Sequence, residues 1–373
     1  MGPQVLLDKS ALQSLSQEEA FRLGWFVMVV VPPVLMAEIQ ADLTKASHAR
    51  KSQRVALRNE ASEQAKKLHS MFSRGFSLPH RLLVLQDLVG HAVEMKGRPI
   101  VGGTHVITED GEKGFWVDDQ QEKFLLAWED GDFSIFDKIS AYEWRLSISE
   151  IDLAKTRQGL MSSLGSKDLP KTPERLVERV DDLLARPEAQ EAHLYLQLGF
   201  AHADRRTREA ILARWERDPE KRLSTFAPYA AYCTRVLLLF HFALLGDLIG
   251  TKATNRIDLE YLYYLPFATA FASGDAVHAT LAPLAFNGDQ LFISRDALKE
   301  DAAWFLAETE KIAERPVNYP PERMGSPVLD LWKKHMKPRE EIEAPMPKMS
   351  AEEEAALWKK IDAINKARPV RFP

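Results

Sequence analysis

Trp25-Phe-Val-Met-Val-Val-Val-Pro-Pro33 decides the fold. Residues 25–31 are all apolar and rich in β-branched side chains, the pattern of a strand covered on both faces in a parallel sheet, and two prolines stop it. Pro33 suits the first turn of a helix, where the N–H it lacks would go unused, and Leu35, Ile39 and Leu43 follow at helical spacing. Upstream, Gln4-Val-Leu-Leu7 is a shorter apolar run that ends abruptly at Asp8, and an amphipathic helix is predicted over 10–23. The opening therefore alternates β-α-β-α, the order of a parallel sheet.

The alternation returns late in the chain. A long apolar helix is predicted over 229–248, a helix over 256–265, and a strand over 267–272 that Ser273-Gly-Asp275 ends. A helix over 276–284, a strand over 291–294 and a helix over 297–314 complete it. The expectation is an α/β core made of residues 1–43 and 229–314, with 44–228 inserted and 315–373 forming a proline-rich arm with a helix at 351–366. Within the insertion, 44–68 is helix-forming and basic. The runs 105–108, 115–117, 124–128 and 134–136, separated by Glu109-Asp-Gly111 and Glu129-Asp-Gly131, predict a small antiparallel unit near 104–136. From 148 to 221 the pattern is helical, with a helix start at Lys171-Thr-Pro-Glu174 and a break at Asp218-Pro219.

Composition narrows the function classes. The chain has 373 residues, 45% of them hydrophobic, and 49 Lys and Arg against 54 Asp and Glu give a net charge of −5. That excludes a disordered tail and gives no global bias toward nucleic acid, so any such partner must be argued locally. One cysteine, Cys233, excludes a disulfide scaffold and a cysteine-based zinc site. The apolar stretch 236–246 is interrupted by His241 and bounded by Arg235 and Asp247, so a core helix is expected and no membrane partner. The N-terminus has no signal-peptide pattern, and Leu6 stands where myristoylation needs Ser or Thr, so a cytoplasmic protein is expected.

Four carboxylates stand where this topology would gather them. Asp8 follows the first strand and Asp275 follows the strand over 267–272. Glu38 lies in the first turns of the helix leaving the second strand, and Asp258 opens a helix running toward the start of the 267–272 strand. All four fall at the C-terminal rim of a parallel sheet. Like charges gathered at one rim need raised pKa values or a cation, and oxygen donors suit Mg²⁺ or Mn²⁺. Such an ion supports phosphodiester hydrolysis. The alternative for each residue taken singly is a helix cap or an exposed side chain.

The segments Val5-Leu-Leu-Asp-Lys-Ser-Ala-Leu12, Pro33-Val-Leu-Met-Ala-Glu-Ile39 and Asp258-Leu-Glu-Tyr-Leu-Tyr-Tyr-Leu-Pro-Phe-Ala-Thr-Ala-Phe-Ala-Ser-Gly-Asp275 resemble the successive acidic motifs of the PIN-domain nucleases. The resemblance covers 4–43 and 229–294. It implies a three-layer α/β/α sandwich with a central parallel sheet and a Mg²⁺- or Mn²⁺-dependent nuclease acting on RNA more than DNA, with Asp8, Glu38, Asp258 and Asp275 as catalytic metal ligands. Lys9 departs from the family pattern, which has a small hydroxyl residue or Asn there, and beside Asp8 it suggests a rival reading: a catalytically inactive PIN-like scaffold or interaction protein.

Other residues carry weaker expectations. His278 sits one turn beyond Asp275 and is the better outside candidate, while His241 reads as a core histidine. Glu260 and Asp289 are accessory ligand candidates, and Tyr261, Tyr263 and Tyr264 suit core and interface rather than base stacking. Arg50, Arg54 and Arg58 recur every four residues in a basic stretch, 44–74, with eight Lys or Arg against two Glu. They are read either as a phosphate track on a helix continuous with that of Glu38 or as a solvated face. The insertion and the arm are the places expected to receive a second copy or a protein partner.

Overall fold

A computed structural model describes residues 2–48, 54–107, 113–117, 119–164, 169–312, 319–342, 350–366 and 368–369. At its centre lies a five-stranded, all-parallel sheet. Its strands are β1 (Gln4–Leu7), β2 (Met28–Val31), β3 (Arg74–Phe76), and, after a separate hairpin β4 (Gly103–Ile107) and β5 (Lys113–Val117), β6 (Ala270–Ser273) and β7 (Leu291–Ser294). Across the sheet they run β3-β2-β1-β6-β7. Val5 pairs with Val29 on one side and with Ala270 on the other, so β1 is central and joins the two halves of the α/β pattern. Val5, Leu6, Leu7, Val29 and Val30 are fully buried, and burying each such side chain contributes roughly 1.5–3 kcal/mol.

Helices cover both faces. Helices α1 (Lys9–Ser14), α2 (Gln17–Phe26) and α4 (Arg54–Ser70) pack with one another, and the helix Arg295–Ile312 joins α1 and α2. The helix Pro228–Leu245 packs with His80–Leu88, Asn255–Leu262 and Ala276–Ala285. By length and composition Pro228–Leu245 is apolar enough to cross a membrane, but 67% of it is buried inside the fold.

Several expected elements are corrected. The helix expected over 10–23 is two, because Ser16 and Glu19 form a capping box that starts α2 afresh, and α2 runs on to Phe26 so that β2 begins only at Met28. The sheet reaches into 44–228: α4 leads into β3, whose Val29–Arg74 pairing with β2 places the sheet's edge inside the stretch assigned to the insertion. Among the described residues of the antiparallel unit near 104–136, only the paired β4 and β5 are strands. Residues 124–128 lie in the helix Gln120–Glu129, and Ser134 with Asp137 caps the helix Ile135–Ser149. The helical stretch is as expected, and Thr172 caps the helix Pro173–Ala185 with proline in its first turn.

Among its described residues the arm forms three helices, one of them the short Arg339–Ile342, and a two-residue strand. The helix Pro327–His335 buries Val328, Leu329, Leu331 and Trp332, and Asp301 accepts from Val328 N at 3.0 Å. The helix Ala351–Lys366 follows, exposed over 352–362, and the short β8 (Arg368–Pro369) pairs antiparallel with β4.

Candidate functional site

The strand order reverses between β1 and β6, since the chain winds outward to β2 and β3 on one side and to β7 on the other. In open parallel sheets, ligands bind outside the carboxyl ends of the strands at such a reversal. Asp8 directly follows β1, and Asp275 comes two residues after the end of β6.

Asp8 is the anchor. It is 1% exposed, caps α1 by accepting from Ala11 N at 2.7 Å, and accepts from Ser10 Oγ at 2.9 Å and from Ser273 Oγ. Burial alone would raise its pKa. The hydrogen bond and charge of His278, with further hydrogen bonds from Asp275 and Ser273, bring it below the ordinary carboxylate value instead.

His278 is fully buried in the helix Ala276–Ala285, against Asp8. Its Nε2 faces the carbonyl of Asp258 at 2.9 Å, which only a protonated nitrogen can satisfy, so Nδ1 is the nitrogen that meets Ser273 Oγ at 2.8 Å and Asp8 Oδ2 at 3.3 Å. Burial opposes a charged imidazole, but the bond to Asp8 and the charges of Asp258 and Asp8 outweigh it and raise the pKa.

Asp275 stands at the N-terminus of the same helix and makes no side-chain cap bond, so the cap reading does not hold for it. Its side chain is 48% exposed and its pKa is raised to about 6, by partial burial and then by the neighbouring Asp8. One ligand atom from each of Asp8, Asp275 and His278 lies within 4.8 Å of the others. Gly274 lets this loop close: its N–H donates to Ser10 Oγ at 2.8 Å, and a Cβ there would sit 3.0 Å from that oxygen and 3.1 Å from Arg295 Cδ.

Glu38 and Asp258 ring this trio. Tyr261 donates its hydroxyl to Glu38 Oε2 at 2.5 Å, and the Glu38 pKa is raised, chiefly by burial. Asp258 is raised to about 7 by burial, with the charges of Asp275, Glu38 and Asp8 adding to it against His278. The charges of Asp8 and Asp275 act on Asp258, and that of Asp8 on Glu38, but among the described residues only Asp8, Asp275 and His278 bring ligand atoms close together.

No family model, curated protein or solved structure matches the chain. What the rim does is therefore read from its own geometry.

Lys9 acts on the cluster from its margin, its charge lowering the Glu38 pKa while its ammonium is paired elsewhere. Its Nζ donates to Asp42 Oδ1 at 2.7 Å and to the Glu38 carbonyl at 3.0 Å, bracing α1 against α3 (Pro33–His48). Glu260 is engaged by Arg256, and Asp289 lies 3.3 Å from Lys334, so neither joins the rim. Tyr261, Tyr263 and Tyr264 are fully buried and belong to the core, as does Cys233. His241 bonds to its own helix at Leu237 O. Arg50 and the side chains of Arg54 and Arg58 lie outside the described residues. Arg54 opens α4, a helix packed against α3 rather than continuing it. Ser10, which the motif resemblance already placed beside Asp8, donates to it at 2.9 Å, whereas sequence reasoning missed Ser273, whose hydroxyl reaches Asp8 across 265 residues.

Proposed function

We propose that the chain is a Mg²⁺- or Mn²⁺-dependent phosphodiesterase of PIN-like architecture, a nuclease acting on RNA more than DNA in the cytoplasm. The observation that carries this reading is the approach of Asp8, Asp275 and His278 to within 4.8 Å at the sheet's point of reversal, with Asp275 neither capping its helix nor fully buried. The donor set fits such an ion: Asp8 and Asp275 supply oxygens, Glu38 and Asp258 stand beside them, and the other nitrogen of His278 is committed to a carbonyl, as is usual for a metal-ligating histidine. A divalent cation held there would supply positive charge for a phosphate and make water more acidic.

The remaining work falls to the chain's own groups. Asp258, with a pKa of about 7, can exchange a proton with water or a leaving oxygen at neutral pH. Arg295, close enough to Asp275 to lower its pKa, is placed to meet a phosphate at the rim. The test is cleavage of end-labelled RNA and DNA by the purified full chain with and without Mg²⁺ or Mn²⁺, beside Asp8→Asn. No metal-dependent cleavage, or equal cleavage by that variant, would sink the reading.

A second reading rests on His278. A buried imidazolium against Asp8 and a protonated Asp258 balance much of the cluster's charge without a cation, which suits an inactive scaffold. Metal binding would then have to displace a proton from Nδ1. Calorimetry of Mn²⁺ binding in two buffers of different ionisation heat separates the two, since the scaffold reading expects no binding.

A further inference from the structure

The helix Ile135–Ser149 has two apolar faces. One carries Ala141, Trp144 and Ile148 toward the body, where the helix packs on α3 and Gln40 Nε2 donates to Asp137 Oδ1 at 2.9 Å. The other looks outward. Ile135, Ile139, Tyr142 and Leu146 are 69%, 47%, 55% and 48% exposed, far more than large apolar side chains usually are on a helix whose other face is already buried.

Their spacing of four, three and four residues is the alternation of core positions in a coiled coil, and Phe136, 76% exposed, stands beside the seam on the flank of Glu143. The charges that flank this seam are sorted. Lys138 and Arg145 lie along one side, Glu143 and Glu150 along the other, and all four are exposed. Among the described residues Lys138, Glu143 and Glu150 have no ion-pair partner, while Arg145 donates to Thr44 Oγ1 of α3 at 3.3 Å.

The geometry points to a second copy of this chain as the occupant, its Ile135–Ser149 helix lying parallel to the first about a two-fold axis. In a parallel pair the residue on one flank faces the opposite flank of the partner five residues on, so Lys138 meets Glu143 of the second copy and Arg145 meets Glu150, each pair formed twice. In an antiparallel pair each flank meets its own kind, setting Lys and Arg against one another and Glu against Glu. A different helical protein would require no such internal sorting. Two heptads form a small interface, so the dimer is weak and concentration-dependent. The seam is one helix away from the rim, because α3 carries Glu38 on its first turns.

Sedimentation velocity of the full chain between about 1 µM and about 300 µM tests this. A reversible monomer–dimer equilibrium is expected. Ile139→Lys should weaken it by at least about tenfold, and Glu143→Lys by on the order of tenfold, because like charges then face each other twice. Combining Lys138→Glu with Glu143→Lys should restore it to within about threefold. These positions are exposed, so unchanged melting temperatures will show the variants folded. Ser149→Cys, on the same seam, should form an intermolecular disulfide in the parallel pair, since Cys233 is buried. A chain monomeric throughout would overturn the proposal and leave the face to another protein. A dimer indifferent to Ile139→Lys would overturn the seam. A dimer that responds to Ile139→Lys but not to the charge reversal, or that does not cross-link, would overturn the parallel arrangement.

Discussion

The carboxylates of Asp87 and Asp275 both lie at helix N-termini, both have pKa values raised to about 6 chiefly by burial, and they do opposite things. Asp87 reaches from the helix His80–Leu88 to the start of Pro228–Leu245, where its Oδ2 accepts from Tyr229 N at 2.7 Å and Ala230 N at 3.0 Å. Its acceptors satisfy backbone donors that would otherwise be buried and unbonded. Asp275 opens its own helix but leaves that helix's N–H groups alone and faces Asp8 and His278. A raised pKa therefore does not distinguish a structural carboxylate from a chemical one. The destination of the lone pairs does.

The largest expected effect falls on chemistry. Asp275→Asn should cut metal-dependent RNA cleavage by about a thousandfold, whereas Asp87→Asn, which keeps an acceptor oxygen, should retain most of it. Similar losses in both would break the distinction. Stability should invert the order. Asp87→Ala strands two buried N–H groups and is expected to cost about 2–4 kcal/mol in urea unfolding, against about 1 kcal/mol or less for Asp275→Ala.

A third test uses pH. Asp87, Asp258 and Asp275 have folded-state pKa values above their unfolded ones, so their contribution is complete below about pH 4 and is lost as pH rises through about 6 to 7. His278, also raised, acts in the same direction above its unfolded value, while the lowered Asp8 contributes above the carboxylate range and loses that contribution only as pH falls. The metal-free chain should thus melt at a lower temperature at pH 8 than at pH 5. Asp258→Asn should stabilise the chain at both pH values, and by roughly 1–3 kcal/mol more at pH 8 than at pH 5, because the Asp258 penalty is only partly developed at pH 5. A gain independent of pH would mean that Asp258 is not held against its neighbours' charge.

The smallest effect is also the most selective. Saturating Mn²⁺ should raise the melting temperature by about 2–4 °C in the wild type and in Asp87→Asn, and hardly at all in Asp275→Asn. Equal shifts in all three would remove the site from the rim.

Much of this rim was legible because parallel sheets have few topologies. With apolar runs over 4–7 and 25–31 as strands, the residues after them have to share an edge. What escaped the reading had weak or competing local signals. Arg74-Gly-Phe76 has no apolar run, and it is a strand only because β2 offers it a free edge. Ser134-Ile-Phe136 looked like strand, yet Ser134 and Asp137 close a capping box around it. The support for Asp8 was out of reach for a different reason. Ser273 lies 265 residues from it, and no local pattern announces that a serine hydroxyl will turn toward a carboxylate at that separation.

That same separation bears on how the chain is made. β1 is the middle of the finished sheet, and one of its two neighbours, β6, begins 266 positions after it. Until a ribosome has released that far segment, β1 can pair only with β2, and its other edge, with Val5, Leu6 and Leu7 beside it, stays open to any passing strand. The nascent chain thus carries its central strand half-paired until β6 is made, the stage at which chaperone engagement matters and at which a slow stretch of translation would be felt most.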